Sequence, residues 1–210
     1  MRDHLTIFEE AENMIEIKKS EFISNLIPVK NEEQVEAALE QIRKKHYKAN
    51  HHCYAYIMGE NSEQKKASDD GEPTGTAGKP ILSVLENSGL TDVLGVVTRY
   101  FGGIKLGASG LTRAYSQATS ECLKKSRLLK KIFCIEMIFE CDYSFYGRLE
   151  TYLIQNNIFI KDKAFAEKIT LTVCMPEKEK ERLVKDVFEM SNGKCVGNAA
   201  GEVYLDILED

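Results

Sequence analysis

With 210 residues, 43% of them hydrophobic, the chain is long enough to bury an ordinary core in one domain or two. Charged residues make up 29%, and no apolar run approaches the roughly 18 residues of a membrane-spanning helix, so the composition argues against a membrane partner. The net charge of −5 argues against a strongly basic nucleic-acid-binding protein, and no signal specific for DNA is present.

Met1-Arg2-Asp3-His4-Leu5 is followed by Glu9, Glu10 and Glu12, where a secretory signal would carry an apolar core. The six cysteines are widely spread, with no C-x-x-C pair, and read as reduced thiols of a cytoplasmic protein. Extended segments are expected around Met14–Lys18 and Phe22–Val29. Asn31-Glu32-Glu33-Gln34 then resembles a capping box. Val35, Ala38, Leu39 and Ile42 form one apolar helical stripe, and Arg43, Lys44 and Lys45 suit the negative end of that helix's dipole, which places its end near Tyr47. Cys53–Met58 reads as a strand, and the polar stretch from Gly59 to Gly71 as a loop. Pro80 is placed to open a short helix through Ile81, Val84 and Leu85. Val93–Thr98, almost wholly apolar, reads as a strand covered on both faces. A further helix is expected to start near Ser109, with Leu111, Ala114, Ala118 and Cys122 on its buried side.

From about Lys131 the pattern becomes β (132–141), α (145–153), β (158–160), β (169–173), α (from Pro176 through Phe188), β (203–207). This βαββαβ order is that of a ferredoxin-like domain. The expected fold class is therefore α+β in two domains, residues 1–128 and residues 129–210.

Three groups of residues have the chemistry of a site. Asp69, Asp70 and Glu72 lie within four positions, followed by Thr76 and Lys79. Such acids repel one another unless something compensates them: Mg²⁺, whose hard character suits oxygen ligands, or merely solvent around an Asp70-Gly71 turn. The preceding Pro73 excludes a Walker-type phosphate loop ending at Gly78-Lys79. The second group runs Arg99-Tyr100-Phe101-Gly102-Gly103-Ile104-Lys105-Leu106-Gly107-Ala108-Ser109-Gly110, then Leu111, Thr112, Arg113, Ala114 and Tyr115. Here a strand passes through a glycine-rich loop into a helix, so helix-start N–H groups join Arg99, Lys105 and Arg113 as an anion site, with Tyr100 offered for base stacking. The competing account makes the glycines packing devices, the aromatics core, and the cations partners of Asp69, Asp70 and Glu72. The third group is His51-His52-Cys53. Strand neighbours face opposite ways, so only His51 and Cys53 share a face, and no third group completes a catalytic dyad.

These motifs resemble those of the YigZ/IMPACT family. They are Asp69-Asp70-Gly71-Glu72-Pro73 with Gly75-Thr76-Ala77-Gly78-Lys79-Pro80, Arg99-Tyr100-Phe101-Gly102-Gly103 with Lys105-Leu106-Gly107, Gly110-Leu111, His51 with Cys53-Tyr54-Ala55, and Lys19-Ser20-x-Phe22. Ser109 stands where the family usually has Gly. The resemblance implies an N-terminal domain folded like the second domain of ribosomal protein S five and a C-terminal domain similar to the last domain of elongation factor G. It also implies, for the eukaryotic branch, restraint of the amino-acid-starvation kinase that controls translation initiation, a stress response. A translation-associated regulatory protein follows, meeting RNA, the ribosome or a translation factor through the glycine-rich loop and needing no cofactor. The alternative is a Mg²⁺-dependent hydrolase or phosphotransferase acting on a phosphorylated small molecule.

Overall fold

A computed structural model describes residues 3–209. The chain divides into two compact units, residues 3–131 together with 207–209, and residues 132–206.

In the first unit the strands are β1 (His4–Ile7), β2 (Ala11–Ile17), β3 (Ser20–Pro28), β4 (His51–Met58), β5 (Gln64–Ser68) and β6 (Val93–Tyr100). The helices are α1 (Glu32–Lys45), α2 (Gly78–Asn87) and α3 (Ala108–Leu123). Five strands form an antiparallel sheet in the order β2-β3-β6-β4-β5. Alternation along β6 explains the layers. Val93 and Val97 pack with Phe22, Leu26 and Ile57 against Ile81 and Leu85 of α2 and Leu111, Ala114 and Tyr115 of α3. Leu94 and Val96 face the other way, with Tyr56 and Met58, onto Val35, Leu39 and Ile42 of α1. The central strand is thus buried on both sides, which is why it carries no polar alternation.

Asn31 caps α1 by accepting from the N–H of Gln34 at 2.9 Å, and the Gln34 side chain accepts from the N–H of Lys30 at 2.8 Å. Two local expectations need correction. Residues 64–68 are not loop but the edge strand β5; its exposed Lys65 and Lys66, one on each face, hide any apolar alternation and protect an open edge. The helix expected near Ser109 starts at Ala108, but its N-cap is Gly107 at φ 72°, not Ser109, and no side chain caps it.

The second unit contains most of β7 (Leu128–Cys141), then α4 (Tyr143–Gln155), β8 (Phe159–Phe165), β9 (Ile169–Met175), α5 (Lys180–Met190) and the greater part of β10 (Gly197–Glu209). Its strand order, β10-β7-β9-β8, is the ferredoxin-like arrangement. Its core joins Met137, Phe139, Leu171 and Val173 of the sheet to Leu149, Leu153, Leu183 and Val187 of the two helices. Among the described residues, no helix is long and apolar enough to cross a membrane.

Candidate functional site

The sequence-selected loops meet at one end of the first unit's sheet. Phe22 of β3, Arg99 of β6 and His51 of β4 occupy one cross-strand row, so all three project on the side of α2 and α3. The loop from Asp69 to Ala77 enters α2 beneath this row, and the loop from Phe101 to Gly107 leaves it for α3.

Each acid of the Asp69 loop is committed to a different partner. Asp69 caps α2 at a distance. One carboxylate oxygen accepts from the N–H groups of Ala77 and Gly78 at 3.0 and 2.9 Å, and the other from Gly75 N at 2.8 Å. Burial opposes ionisation of Asp69, but the donors at Gly75, Gly78 and Ala77 prevail and hold its carboxyl below the usual carboxylate range. Asp70 accepts from the N–H of His52 at 2.6 Å. Glu72, only 9% exposed, accepts at one oxygen from Arg99 Nη1 at 2.6 Å and from the Tyr115 hydroxyl at 2.8 Å. Three carboxylates turned three ways make no cation cage. Among the described residues, no group of three or more His, Cys, Asp or Glu is placed to hold a metal ion. Asp69, Asp70 and Glu72, offered by the sequence as Mg²⁺ ligands, are each turned to a protein donor instead of toward one shared point.

Arg99 is 5% exposed, and its guanidinium carbon lies 5.3 Å from the Phe22 ring and 5.4 Å from the Phe101 ring. A second guanidinium nitrogen donates to Ser20 Oγ at 3.4 Å, and that same oxygen accepts from Gly102 N at 3.1 Å. Gly102 is required by this approach: a Cβ there would lie 2.0 Å from the Lys19 carbonyl. Beneath the pair, the Cys53 thiol donates to the Asp69 carbonyl at 2.9 Å and contacts the Tyr115 hydroxyl at 3.4 Å. Burial pushes the Cys53 thiol up to about 12 and raises the Tyr115 hydroxyl as well, so neither is an ionised nucleophile near neutrality.

Above this network opens a cleft of about 440 Å³. Its polar wall is formed by Asn50, His51, Glu72, Arg99 and Lys105, its apolar wall by Pro73, Phe101, Leu106 and Leu111, and Gly107 and Ala108 bring the start of α3 to its edge. The first intrahelical bond of α3 runs from Leu111 N to Gly107 O, so the amides of residues 108–110 have no acceptor within the helix. Lys105, Ser109 and Arg113 are exposed.

Of the residues singled out in the sequence, His51, Glu72, Arg99, Lys105 and Gly107 line this cleft. Tyr100 does not. It sits on the opposite face, its hydroxyl 3.1 Å from His46 Nδ1. Arg113 is one turn along α3, where its Nε donates to the Ser109 carbonyl at 3.3 Å. Thr76 bonds the Pro73 carbonyl at 2.7 Å, and Lys79 is exposed in the first turn of α2. Gly103 has φ 82°, and a Cβ there would meet nothing within 4 Å. Asn50, which heads the His51 group in the sequence, and Ser20, in Lys19-Ser20-x-Phe22, are given roles only by the structure.

The molecule is thus a two-domain α+β protein with antiparallel sheets, whose N-terminal unit carries a cleft floored by a buried ion pair. Residues 18–123 match the Impact N-terminal domain, and residues 139–194 match a domain of unknown function, DUF1949. The chain is 39% identical over 206 residues to the IMPACT family member YvyE of Bacillus subtilis (strain 168), covering 98% of this chain and 95% of that one. It is 36% identical to the IMPACT family member YigZ of Escherichia coli (strain K12), over 85% of this chain and 88% of that one. A solved crystal structure of a hypothetical protein superposes with a TM-score of 0.62 at 33% identity, covering 95% of this chain and 98% of that one. The chain belongs to the IMPACT family.

Proposed function

We propose that this protein is a translation-associated regulatory factor that binds RNA, in the cytoplasm, through the loop between β6 and α3. The reading is carried by the placement of Lys105, exposed beside the unsatisfied first-turn amides of α3 at the mouth of the cleft. A cation joined to the positive end of a 16-residue helix attracts phosphate. Family membership supports the link to translation, through the role in starvation signalling that the resemblance implies for eukaryotic members. Chemistry at the protein's own groups is disfavoured, since the carboxylates are committed and the Cys53 thiol is protonated.

The buried ion pair changes the number of phosphate contacts to expect. Arg99 is neutralised by Glu72, which leaves Lys105 and Arg113 as the two free cations of the loop region. Two contacts to a single strand give a log–log dependence of affinity on salt with slope about −1.4. Fluorescence anisotropy of a labelled single-stranded RNA from low to high salt measures it, and Lys105→Gln should reduce the slope by about 0.7. Affinity that ignores salt, or that Lys105→Gln and Arg113→Gln together leave unchanged, would reject RNA as the partner.

A further inference from the structure

We infer that the cleft holds one unpaired nucleotide of an RNA strand, its phosphate at Lys105 and the first turn of α3 and its base against Phe101. This rests on the RNA reading above and assigns the unit that the site takes.

Phe101 is 46% exposed although its backbone is pinned: its N–H donates to Asn50 Oδ1 at 2.8 Å, and Gly102 beside it is tied to Ser20. Arg99 backs the ring with a guanidinium 5.4 Å from its centroid. A flat apolar ring, held rigidly and open to solvent at the lip of a cleft, is a stacking platform. The wall beside it offers both senses of hydrogen bond. Asn50 spends its carbonyl oxygen on Phe101, which leaves its amide group as a donor. His51 Nδ1 lies 2.9 Å from the Asp70 carbonyl, which can only accept, so the proton is on Nδ1 and Nε2 is the acceptor of the neutral ring. Such a donor and acceptor pair reads the polar edge of a base turned out of a helix.

Arg99 forms part of the cleft floor. The residue lines the cleft, is 5% exposed, and its buried Nε makes no hydrogen bond. Because Glu72 already neutralises the guanidinium charge, Lys105 is the free cation lining the cleft, which suits one phosphate better than a polyphosphate. The volume, about 440 Å³, falls within the roughly 300–1,000 Å³ of small-ligand sites. A peptide carboxylate would use the same anion subsite but would leave the open ring and the Asn50–His51 edge without a role.

The test uses the full chain, ¹⁵N-labelled, titrated with AMP, ribose 5-phosphate, a 5′-phosphorylated tetraribonucleotide, and an N-acetylated tripeptide with a free carboxylate. AMP and the tetranucleotide should shift the amides of Phe101 and of residues 108–110, and AMP should bind more tightly than ribose 5-phosphate. Phe101→Ala should weaken AMP about tenfold while leaving ribose 5-phosphate unchanged, whereas Lys105→Gln should weaken both. Phe101→Leu, which keeps the apolar cover but not the flat ring, should behave as Phe101→Ala. Equal binding of AMP and ribose 5-phosphate, or silence of both Phe101 variants, overturns the inference. If the tetranucleotide then retains salt-dependent binding, RNA remains the partner and only the nucleotide pocket falls; if no RNA binds at any salt, both fall. Tighter binding of the tripeptide in competition with AMP reassigns the cleft to a protein C-terminus, and binding of AMP without the tetranucleotide reassigns it to a free nucleotide. Either result refutes the proposal.

Discussion

Replacing Glu72 with alanine strands the Arg99 guanidinium. The two side chains are 4% and 6% exposed, they meet at 2.6 Å, and the Tyr115 hydroxyl donates to the same Glu72 oxygen. Removing one partner of a buried pair costs about 3–5 kcal/mol, because the surviving charge stays out of water without compensation. Domains of ordinary size are stable by about 5–15 kcal/mol, so a large share of the first unit's stability should vanish. Glu72→Gln keeps an acceptor for both donors and gives up only the charge, so its loss should be smaller, about 1–3 kcal/mol. The double variant Glu72→Leu/Arg99→Met removes both charges together, and should recover at least about 2 kcal/mol relative to the sum of the single losses. Calorimetry of the full chain and of each variant follows this directly. A Glu72→Ala loss below about 1 kcal/mol, or strict additivity in the cycle, would refute the reasoning. The carboxylate would then be spare, and free to serve as a ligand group.

Gly102→Ala would drive a Cβ to 2.0 Å from the Lys19 carbonyl, so the loop must shift; a cost of about 1–3 kcal/mol is expected, with loss of the Phe101 amide shifts on adding AMP. Asp69 bears on acid stability. Its folded pKa lies below the unfolded value of about 3.9, so its stabilisation is complete above that value and is lost as pH falls through the folded pKa. Urea midpoints between pH 2 and 7 should show a decline below about pH 4 that Asp69→Asn flattens, and parallel profiles for the two proteins would contradict the capping role. All six cysteines are buried, and the Cys53 thiol is pushed up to about 12. A thiol-specific disulfide reagent at pH 8 should therefore label the native protein only at the rate of unfolding, and all six thiols at once in denaturant.

Most elements of the first unit were legible because their signals are local, whereas its sheet order was not. The apolar stripe and cap of α1 needed only neighbours, and the unbroken apolar run of β6 announced a strand buried on both faces. Likewise, the βαββαβ order of the second unit follows from periodicity changing between helix and strand. The strands missed were those whose stabilisation comes from elsewhere. β5 is polar because it lies at an edge, and β1 is four residues long, held by pairing with residues 128–131 far along the chain.

The competing account, in which the loop cations pair with the neighbouring acids, holds for Arg99 and Glu72, but the sequence did not say which acid would take which donor. Asp69, Asp70 and Glu72 are similar on paper, and what distinguishes them is which donor the fold brings: helix amides, a strand N–H, or a guanidinium from a residue 27 positions away. One clue to the last pairing was present. In β6 the inward face reads Val93, Gly95, Val97, so the next residue in that register, Arg99, had to enter the core, and a buried arginine demands a buried acid. Glu72 answers that demand, and its neutralising charge makes the cleft far less cationic than the sequence count implied. On the reading proposed above, binding there rests on one lysine, a helix end and an exposed ring, which favours an anion with a flat apolar body over a bare polyanion.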